Sequence, residues 1–371
     1  MRIGLMLRAF EEQGGVGVYT RNIARHLVEA APEHEFFLYF GRPEDLGTFS
    51  NASNATERYV PLGNKAIWDQ LKMPLCFRRD RLDVLFHPKF TVPLLCARRS
   101  AMVLHGAGWF IPETKKYWSL ATRLYARVMM PLYCRLAGAV LSVSEITRQE
   151  FHRRLGVAES KITTVYFAPG VEFSKPAKPE EAAQIRQRFR LNDRYILTLT
   201  GGDRAERKNF DTILQAFQKV HGRTPCQLVV AGRGCEDFRE RFGIPDTGYG
   251  ADIVFTGWVE QSDLPALFRS AAVFLYPSNM EAFPIPITES LACGTPIVTS
   301  NAFGLQELAG DAALLVDPSD PDGIAAAVQR ILDDENLSAD LRTRARLRSE
   351  HFSWDRCTTE TLRLLEEIGS K

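Results

Sequence analysis

The sequence has 371 residues, a length more typical of two domains than of one. Apolar residues make up 45% and charged residues 25%, which predicts a sizeable core and excludes a disordered chain. The 46 basic and 45 acidic side chains give a formal net charge of +1, which disfavours a protein whose main partner is nucleic acid.

Local composition disfavours three more classes. The apolar run at residues 1–7 is too short for a secretory signal and is predicted to be the first strand. No run of apolar residues is long enough to span a membrane. The seven cysteines are odd in number and lack C-x-x-C spacing, so we expect reduced, mostly buried thiols rather than disulfides or a zinc site. Together these features predict a cytoplasmic protein.

Short runs of β-branched and aromatic residues alternate along the chain with segments that carry apolar residues at helical spacing. The predicted strands of the first half are 3–8, 35–40, 83–87, 101–105, 139–144 and 162–167. Those of the second half are 195–201, 227–232, 252–257, 273–277 and 296–300. This alternation predicts an α/β protein whose parallel sheets have helices on both faces.

The predicted domain boundary is a proline-rich stretch at residues 168–179. Pro169, Pro176 and Pro179 suit neither a helix interior nor a central strand, so the stretch is predicted to be a semi-rigid linker. The alternative is a long surface loop within one large domain. We predict domains at 1–170 and 171–352, followed by a helix in 353–371 that starts after Ser353 as N-cap and runs to about Glu367.

A glycine-rich loop follows the first predicted strand. Gly14, Gly15 and Gly17 precede an amphipathic segment, so their backbone N–H groups and the helix dipole favour binding of an anion. The alternative is an ordinary flexible turn. The loop is not G-x-G-x-x-G and no acidic residue ends the next strand, which disfavours a dinucleotide site.

Three cations follow the strand predicted at 195–201. Arg204, Arg207 and Lys208 lie in a loop that enters a helix, where cations are unfavourable unless an anion is bound. Forked arginine donors and a lysine point charge suit a diphosphate. The alternative is a solvated charge run that Asp203 and Glu206 partly neutralise.

Two glutamates follow the strand predicted at 273–277. Glu281 precedes a turn, Pro286 is predicted at the first position of the next helix, and Glu289 is predicted in its first turn. Two carboxylates facing one crevice would accept hydrogen bonds from the hydroxyls of a sugar and a ribose. The alternative is that Glu289 only complements the helix dipole and that Glu281 is a surface acid.

Two further features concern His105 and a D-x-D motif. His105 ends a predicted strand at the sheet edge where ligands bind, although a packing role is equally compatible with its position. Asp320 precedes Pro321 and an apolar helical pattern, so it is predicted to be an N-cap rather than part of a metal site. We therefore expect no metal.

Basic residues outnumber acidic ones between Arg98 and Arg154, and apolar and aromatic residues alternate with them. This composition favours contact with an anionic membrane surface or with a lipid-linked diphosphate. The alternative is an ordinary amphipathic helix packed on the sheet.

Taken together, the motifs resemble those of retaining glycosyltransferases of family 4, which have the GT-B fold. Glu281 and Glu289 match the E-x7-E signature, followed by the sequence Leu-Ala-Cys-Gly-Thr-Pro-Ile-Val. The other matches are the glycine loop 14–20, Val143-Ser144-Glu145, Arg207-Lys208-Asn209, residues 310–318 and Phe352-Ser353-Trp354. Within the family the chain looks most like the mannosyltransferase-B-like branch, which builds surface polysaccharides.

The resemblance implies two Rossmann-like domains whose parallel sheets face each other across a cleft. The N-terminal domain would bind the acceptor and the C-terminal domain the nucleotide sugar, with the final helix packing back towards the N-terminal domain. Transfer of a hexose, with mannose from GDP-mannose as the leading donor, would need no cofactor or metal. The acceptor would be a saccharide or a polyprenyl-diphosphate-linked saccharide, reached at the cytoplasmic face of the inner membrane.

The resemblance also implies residue roles. Arg207 and Lys208, with Arg204 beside them, would hold the diphosphate, Glu281 the sugar hydroxyls and Glu289 the ribose. His105 would lie beside the transferred sugar. The remaining donor-binding residues would be Gly14, Gly15, Phe283, Ile285 and Ile287.

Three positions depart from the family pattern: Ala282, Pro284 and Gly106. They support an alternative in which the protein binds a sugar nucleotide without turning it over. An NAD-dependent oxidoreductase is suggested only by the α/β alternation and the glycines.

Overall fold

A computed structural model describes residues 1–12, 14–112, 118–176, 178–201 and 205–371, and of Pro179 the backbone only. The chain forms two compact units. The first unit comprises Met1–Phe167 and Ser353–Lys371, and the second comprises Ala168–Phe352. Each unit is built on one parallel β-sheet.

The sheet of the first unit has seven strands in the order β3-β2-β1-β4-β5-β6-β7. The strands are β1 (Arg2–Met6), β2 (Glu35–Phe40), β3 (Ala55–Tyr59), β4 (Val84–His87), β5 (Ser100–Leu104), β6 (Ala139–Ser142) and β7 (Ile162–Thr164). Every residue of β4, β5 and β6 is buried, as expected for parallel strands covered on both faces.

Five helices follow strands of this first sheet. They are α1 (Gly15–Ala30), α2 (Lys65–Ile67), α3 (Met73–Arg79), α4 (Leu120–Leu136) and α5 (Glu145–Leu155). A π-helical stretch, Trp68–Lys72, joins α2 to α3, so residues 65–79 form one continuous helical run. The run is anchored by Trp68 and Met73, whose side chains are fully buried.

The sheet of the second unit has six strands in the order β10-β9-β8-β11-β12-β13. Its strands are β8 (Tyr195–Leu199), β9 (Gln227–Ala231), β10 (Ile253–Gly257), β11 (Val273–Tyr276), β12 (Ile297–Ser300) and β13 (Ala313–Val316). Its helices are α6 (Pro179–Phe189), α7 (Phe210–His221), α8 (Phe238–Arg241), α9 (Leu264–Ser270), α10 (Ile285–Cys293), α11 (Phe303–Ala309), α12 (Pro321–Asp333) and α13 (Glu335–Ser349).

The last helix, α14 (Trp354–Gly369), belongs to the first unit. Its predicted N-cap is confirmed, because the Ser353 hydroxyl accepts the N–H of Arg356 at 3.4 Å. The Trp354 ring stacks on His26 of α1 with centroids 5.4 Å apart, which fastens α14 to the first sheet's helical layer.

All eleven predicted strands are present, with ends shifted by a few residues. Two strands that the sequence did not predict, β3 and β13, lie at sheet edges. The outer half of β3 is exposed and β13 is only partly buried, so neither shows the continuous apolar run that marks the central strands.

The proline-rich stretch after residue 167 packs on the second unit. Phe173 is fully buried, with its ring 6.0 Å from that of Phe268. Arg269 donates hydrogen bonds to the carbonyl oxygens of Phe173 at 3.0 Å and Lys175 at 2.7 Å. This stretch is therefore fixed to the second unit by its own side chains and carbonyls, not merely stiffened by proline.

All seven cysteines are free thiols, and all but the half-buried Cys96 are buried, as predicted. Burial raises the pKa of the Cys357 thiol to about 12, so this group stays protonated and packs as a small apolar side chain. Within the described residues, no helix combines the length and the apolar character needed to cross a bilayer.

Candidate functional site

In each sheet the strand order reverses at one point, between β1 and β4 in the first and between β8 and β11 in the second. At such a switch point the loops after the two strands diverge and leave a crevice, which is where open α/β sheets bind ligands. The loop after β8 carries Arg207 and Lys208, and the loop after β11 carries Glu281. The fold therefore brings these three predicted residues to one crevice.

The three side chains form an ion cluster on one carboxylate oxygen. The Lys208 ammonium donates to Oε1 of Glu281, and Nη1 of Arg207 lies 2.6 Å from the same oxygen. The Lys208 ammonium also lies 4.3 Å from the ring centroid of Tyr276, in cation–π geometry. Two cations and one anion leave the cluster with a net positive charge.

The electrostatics of the cluster keep Glu281 ionised. Burial alone would raise the pKa of this carboxyl group, but the charges of Lys208 and then Arg207 outweigh it and hold the pKa below its usual range. A buried carboxylate paired with two cations is a strong acceptor of further hydrogen bonds.

Backbone contacts fix the two loops to each other. The carbonyl oxygen of Arg207 accepts the hydroxyl of Ser278 at 3.0 Å and the N–H of Asn279 at 3.1 Å. Asn209 adopts a left-handed conformation, with φ of 63°, and its side-chain amide donates to the carbonyl oxygen of Pro277 at 3.2 Å. These bonds hold Arg207 and Lys208 in place before any ligand arrives.

Glu289 differs from Glu281 in both position and charge. It is the fifth residue of α10, so the prediction that it lies in the first turn is wrong. Burial raises its pKa to about 8, with a hydrogen bond to Gln261 opposing the shift and the charge of Glu172 adding to it. At neutral pH this buried carboxyl group is protonated and can donate as well as accept a hydrogen bond.

The segment between the two glutamates is packed rather than free. The Phe283 ring meets Phe352 edge to face with centroids 6.1 Å apart, and Ile285 is the half-buried first residue of α10. The Ile287 side chain is fully buried and its N–H donates to the carbonyl oxygen of Pro284 at 2.9 Å. Ile287 therefore offers neither its side chain nor its N–H to a ligand in this structure, which counts against its predicted donor contact.

The start of α10 differs by one residue from the prediction. Pro286 is the second helical residue rather than the first, because α10 begins at Ile285.

A close backbone contact holds Glu281 from the other side. The N–H of Gly304, in α11, donates to the carbonyl oxygen of Glu281 at 2.9 Å. A Cβ atom at position 304 would lie 2.2 Å from the carbonyl oxygen of Ala282, so only glycine fits there.

In the first unit the predicted glycine loop opens α1, as expected. Gly14 is the N-cap with φ of 88°, and Gly15 is the first helical residue. A Cβ atom at Gly17 would lie 1.6 Å from the carbonyl oxygen of Glu12, so the loop folds back tightly onto the helix. The structure does not describe residue 13.

His105 directly follows β5. Its Nε2–H donates to the carbonyl oxygen of Pro88 at 2.9 Å, and its ring packs edge to face against Tyr19 and Phe90. Burial lowers the pKa of His105 to about 4, so the ring is neutral at pH 7 and Nδ1 keeps its lone pair. The next residue, Gly106, has φ of 138°, a conformation that an acidic residue would rarely adopt.

Sequence reasoning missed two features at these edges. Lys89, after β4, forms an ion pair with Glu12, after β1, at the switch point of the first sheet. In the second unit the exposed Trp258 directly follows β10, and the Arg233 guanidinium lies 5.3 Å from its ring centroid. The Lys89 pair joins residues 77 positions apart, which no local pattern signals.

Three other predicted positions have different outcomes. Arg204 falls outside the described residues. In the described part of the chain, Glu289 makes no hydrogen bond or ion pair with Arg207, Lys208 or Glu281. The Asp320 side chain accepts the N–H groups of Asp322 and Gly323, both at 3.0 Å, which confirms its predicted capping role.

Comparisons with protein families agree with this architecture. The family model "Glycosyl transferases group 1" matches residues 181–348, and "Glycosyltransferase Family 4" matches residues 13–169. O-antigen chain mannosyltransferase B of Escherichia coli is 34% identical over an alignment 369 residues long, and the alignment covers 94% of each chain. Phosphatidyl-myo-inositol mannosyltransferase of Mycolicibacterium smegmatis is 29% identical over 256 residues, covering 68% of this chain and 62% of that protein.

Solved structures share the fold across the full length. A glycosyltransferase from Rickettsia africae superposes with a TM-score of 0.77 at 15% identity, covering 99% of this chain and 98% of that one. The Anabaena protein Alr3699/HepE in complex with UDP gives a TM-score of 0.77 at 16% identity, with 99% of both chains covered.

The two parallel-sheet units and their matches define a glycosyltransferase of the GT-B fold. The chain belongs to the family 4 glycosyltransferases, in the branch represented by O-antigen chain mannosyltransferase B. This membership sets aside the oxidoreductase alternative.

Proposed function

We propose that the protein is a retaining mannosyltransferase that moves mannose from GDP-mannose to a saccharide or polyprenyl-diphosphate-linked acceptor. The transfer would take place in surface polysaccharide synthesis at the cytoplasmic face of the membrane. The observation that carries the proposal is the ion cluster of Arg207, Lys208 and Glu281 at the switch point of the second sheet. The names of the mannosyltransferase relatives support the choice of sugar.

In this proposal the donor diphosphate binds to Arg207 and Lys208. Breaking the bond between the anomeric carbon and the diphosphate leaves negative charge on the departing phosphate, which the two fixed cations stabilise. The described hydrogen bonds to the Glu281 carboxylate all end on Oε1, so Oε2 is the atom that would accept a sugar hydroxyl. Because cations supply the stabilisation, the reaction needs no metal, and activity should survive chelation by EDTA.

The remaining donor groups have distinct proposed roles. Glu289 would bond the ribose hydroxyls, and the exposed Trp258 would offer a flat surface for the nucleotide base. His105, neutral and rigidly held, would accept a hydrogen bond from the transferred sugar through Nδ1. Gly14 and Gly15 at the start of α1 would approach the phosphate or the sugar through the backbone.

The acceptor would bind at the switch point of the first sheet, where Lys89 and Glu12 offer a cation and an anion. Lys89→Met should raise the acceptor KM about tenfold, the effect of one lost charged hydrogen bond, while the KM for donor stays unchanged. An equal rise in both values would contradict an acceptor role.

The proposal is tested by incubating the protein with GDP-mannose, UDP-glucose and ADP-glucose in the presence of mannose-containing acceptors. Transfer from GDP-mannose with an α-linked product, followed by anomeric proton resonances, is the expected result. Absence of both transfer and hydrolysis for every donor would refute it. A thermal-shift comparison should show GDP stabilising the protein more than UDP or ADP at equal concentration.

The second candidate is a sugar-nucleotide-binding protein without turnover, which Ala282 and Pro284 favour. Pro284 has no N–H to donate, so the donor loop lacks one backbone contact. Stabilisation by GDP with no transfer would support this candidate. A transfer rate that falls in Glu281→Ala would exclude it.

A further inference from the structure

The exposed apolar side chains of the described chain are concentrated on one face of the first unit. Most of the large exposed apolar residues come from only three segments: the helical run 65–79, the 3-10 segment Leu94–Arg99, and residues 118–136 around α4. They are Ile67, Leu71, Leu75, Leu94, Leu95, Trp118, Leu120, Leu124, Tyr125, Val128 and Leu132. Single exposed apolar residues are ordinary, whereas such a concentration marks an interaction surface.

The three segments adjoin one another, so their exposed residues form one surface. Gln70 connects them: its amide donates to the carbonyl oxygen of Val92 at 3.1 Å and to the Tyr133 hydroxyl of α4 at 3.4 Å. Its carbonyl oxygen accepts the N–H of Leu94 at 2.9 Å. We call the surface formed by the residues named above the α4 face.

Helical spacing explains why these residues remain exposed. Leu120, Leu124 and Val128 are four positions apart on α4 and are 75%, 63% and 60% exposed, while Ala126 and Met130 of the same helix are buried. The helix therefore buries one side and presents a second apolar side outward. The buried side is that of an ordinary amphipathic helix, and the outward apolar side is the one that the membrane hypothesis concerns.

The exposed unpaired charges on these three described segments have one sign. Asp69, which is buried, is the one acidic residue in 65–79, and Leu94–Arg99 and Leu120–Leu136 contain none. The exposed basic residues on these segments that form no ion pair within the described chain are Lys65, Arg78, Arg98, Arg99, Arg127 and Arg135.

Not every basic residue of the stretch predicted at 98–154 is available to a partner. On α5, Arg148 pairs with Glu145 at 2.5 Å, and Arg153 and Arg154 both pair with Glu150. Arg148 is thus neutralised by its own helix, and Arg153 and Arg154 share one carboxylate, which leaves a single positive charge between them. Lys115 and Lys116 fall outside the described residues.

We propose that the α4 face binds the surface of an anionic lipid bilayer. Exposed leucine, isoleucine, valine and tryptophan side chains would enter the boundary between headgroups and acyl chains. The surrounding arginines would contact lipid phosphates, and the absence of exposed carboxylates on these segments removes the repulsion that an anionic surface would otherwise meet. A second copy of this chain, carrying the same positive charge, would be repelled rather than attracted.

The test is sedimentation of the full-length protein with phosphatidylcholine vesicles prepared with and without phosphatidylglycerol. The protein should sediment with the phosphatidylglycerol vesicles, and added salt should weaken binding. The variant Leu124→Glu with Val128→Glu should bind at least about tenfold more weakly. The control is Val171→Glu with Leu347→Glu, at 62% and 59% exposed positions in the second unit, which should bind like the wild type.

Three results would overturn the proposal: no binding to either vesicle, equal loss in both double variants, or a dimer in analytical ultracentrifugation that only the α4-face variant dissociates. Thermal melting of each variant guards against misfolding, since all four positions are exposed. Transfer from a soluble donor to a soluble acceptor should be unchanged in the α4-face variant. Vesicle binding and donor turnover are thus measured separately, so failure of the proposed transferase activity would not be mistaken for failure of this inference.

Discussion

Lys208 and Glu281 form a direct ion contact although 73 positions separate them in the chain. The two residues lie in loops after β8 and β11, neighbouring strands of the second sheet, so topology rather than sequence proximity joins them. Lys208 is also held by the Tyr276 ring. A cation fixed in this way needs no rearrangement when charge develops on a leaving group, which is the condition for effective electrostatic catalysis.

Replacing Lys208 by methionine should reduce kcat by about 10²–10³, the usual cost of removing one preorganised charge donor. Glu281 keeps Arg207 as a partner at 2.6 Å, so the variant should still fold. The rate of mannose transfer under saturating donor measures the effect. Lys219→Met is the matched control, because Lys219 lies on α7 and pairs with Asp322 instead. A Lys208→Met enzyme with undiminished kcat would remove this residue from the mechanism.

A second prediction concerns the contact between α11 and the loop of Glu281. Gly304→Ala would place a methyl group 2.2 Å from the carbonyl oxygen of Ala282, so the loop must shift. We expect the variant to melt several degrees lower, corresponding to about 1–3 kcal/mol of strain. It should also bind GDP more weakly, because moving Glu281 displaces its partners Arg207 and Lys208, which hold the diphosphate in the proposal. Gly63→Ala, where a Cβ atom meets nothing within 4 Å, should change neither property.

Retained GDP affinity in Gly304→Ala would show that the loop position does not control the site. Calorimetric titration of GDP into both variants distinguishes these outcomes.

The sequence predicts what is decided locally. Central strands are continuous apolar runs, and Asp320 and Ser353 cap helices through hydrogen bonds only two or three residues away, so both kinds of feature are visible in the sequence. The edge strands β3 and β13 were not predicted because both are only partly buried. Their mixed composition resembles that of loops.

What depends on tertiary packing could not be predicted. The protonated state of Glu289 follows from burial by distant residues, and the ion pair of Lys89 with Glu12 follows from strand order. Gly106, which departs from the family pattern, is explained by the backbone conformation, because φ of 138° favours glycine. The family motif locates the two glutamates but does not indicate that they carry different charges.

The pKa of Glu289 predicts a pH-dependent stability. An unfolded glutamate has a pKa of about 4.3, and burial raises the folded value to about 8. Between these values the folded state holds a proton that the unfolded state has lost, so stability falls as pH rises, by up to about 1.4 kcal/mol per pH unit, and levels off above pH 8. Below the unfolded pKa, Glu289 is protonated in both states and its contribution to the free energy of unfolding is at its maximum.

Glu289→Gln should remove this slope, because an amide has no proton to lose. Free energies of unfolding from urea titrations at intervals between pH 5 and pH 9 would show the difference between variant and wild type growing with pH. Glu335→Gln, at an exposed position of α13, should follow the wild type throughout. Parallel curves for Glu289→Gln and the wild type would contradict a raised pKa.

The buried pair of Arg8 and Asp69 gives the last prediction. Nε of Arg8 donates to Oδ1 of Asp69 at 2.8 Å, and Nη2 donates to Oδ2 at 3.1 Å, with both side chains almost fully buried. Thr91 donates its hydroxyl to Oδ2 at 2.7 Å. Asp69→Asn leaves the guanidinium buried without a counter-charge, and should cost about 3–5 kcal/mol of unfolding free energy.

The exposed pair of Arg344 and Asp340, at 2.6 Å with both side chains 46% exposed, is the matched comparison. Asp340→Asn should cost less than about 1 kcal/mol, because water already screens this pair. Arg8→Met combined with Asp69→Leu should recover part of the loss, since no unpaired charge remains buried. Urea unfolding, monitored by circular dichroism, measures the free energy of unfolding of all three variants. Similar costs for Asp69→Asn and Asp340→Asn would contradict the prediction. They would mean that water reaches the Arg8 guanidinium, so that its desolvation does not set the cost of losing Asp69.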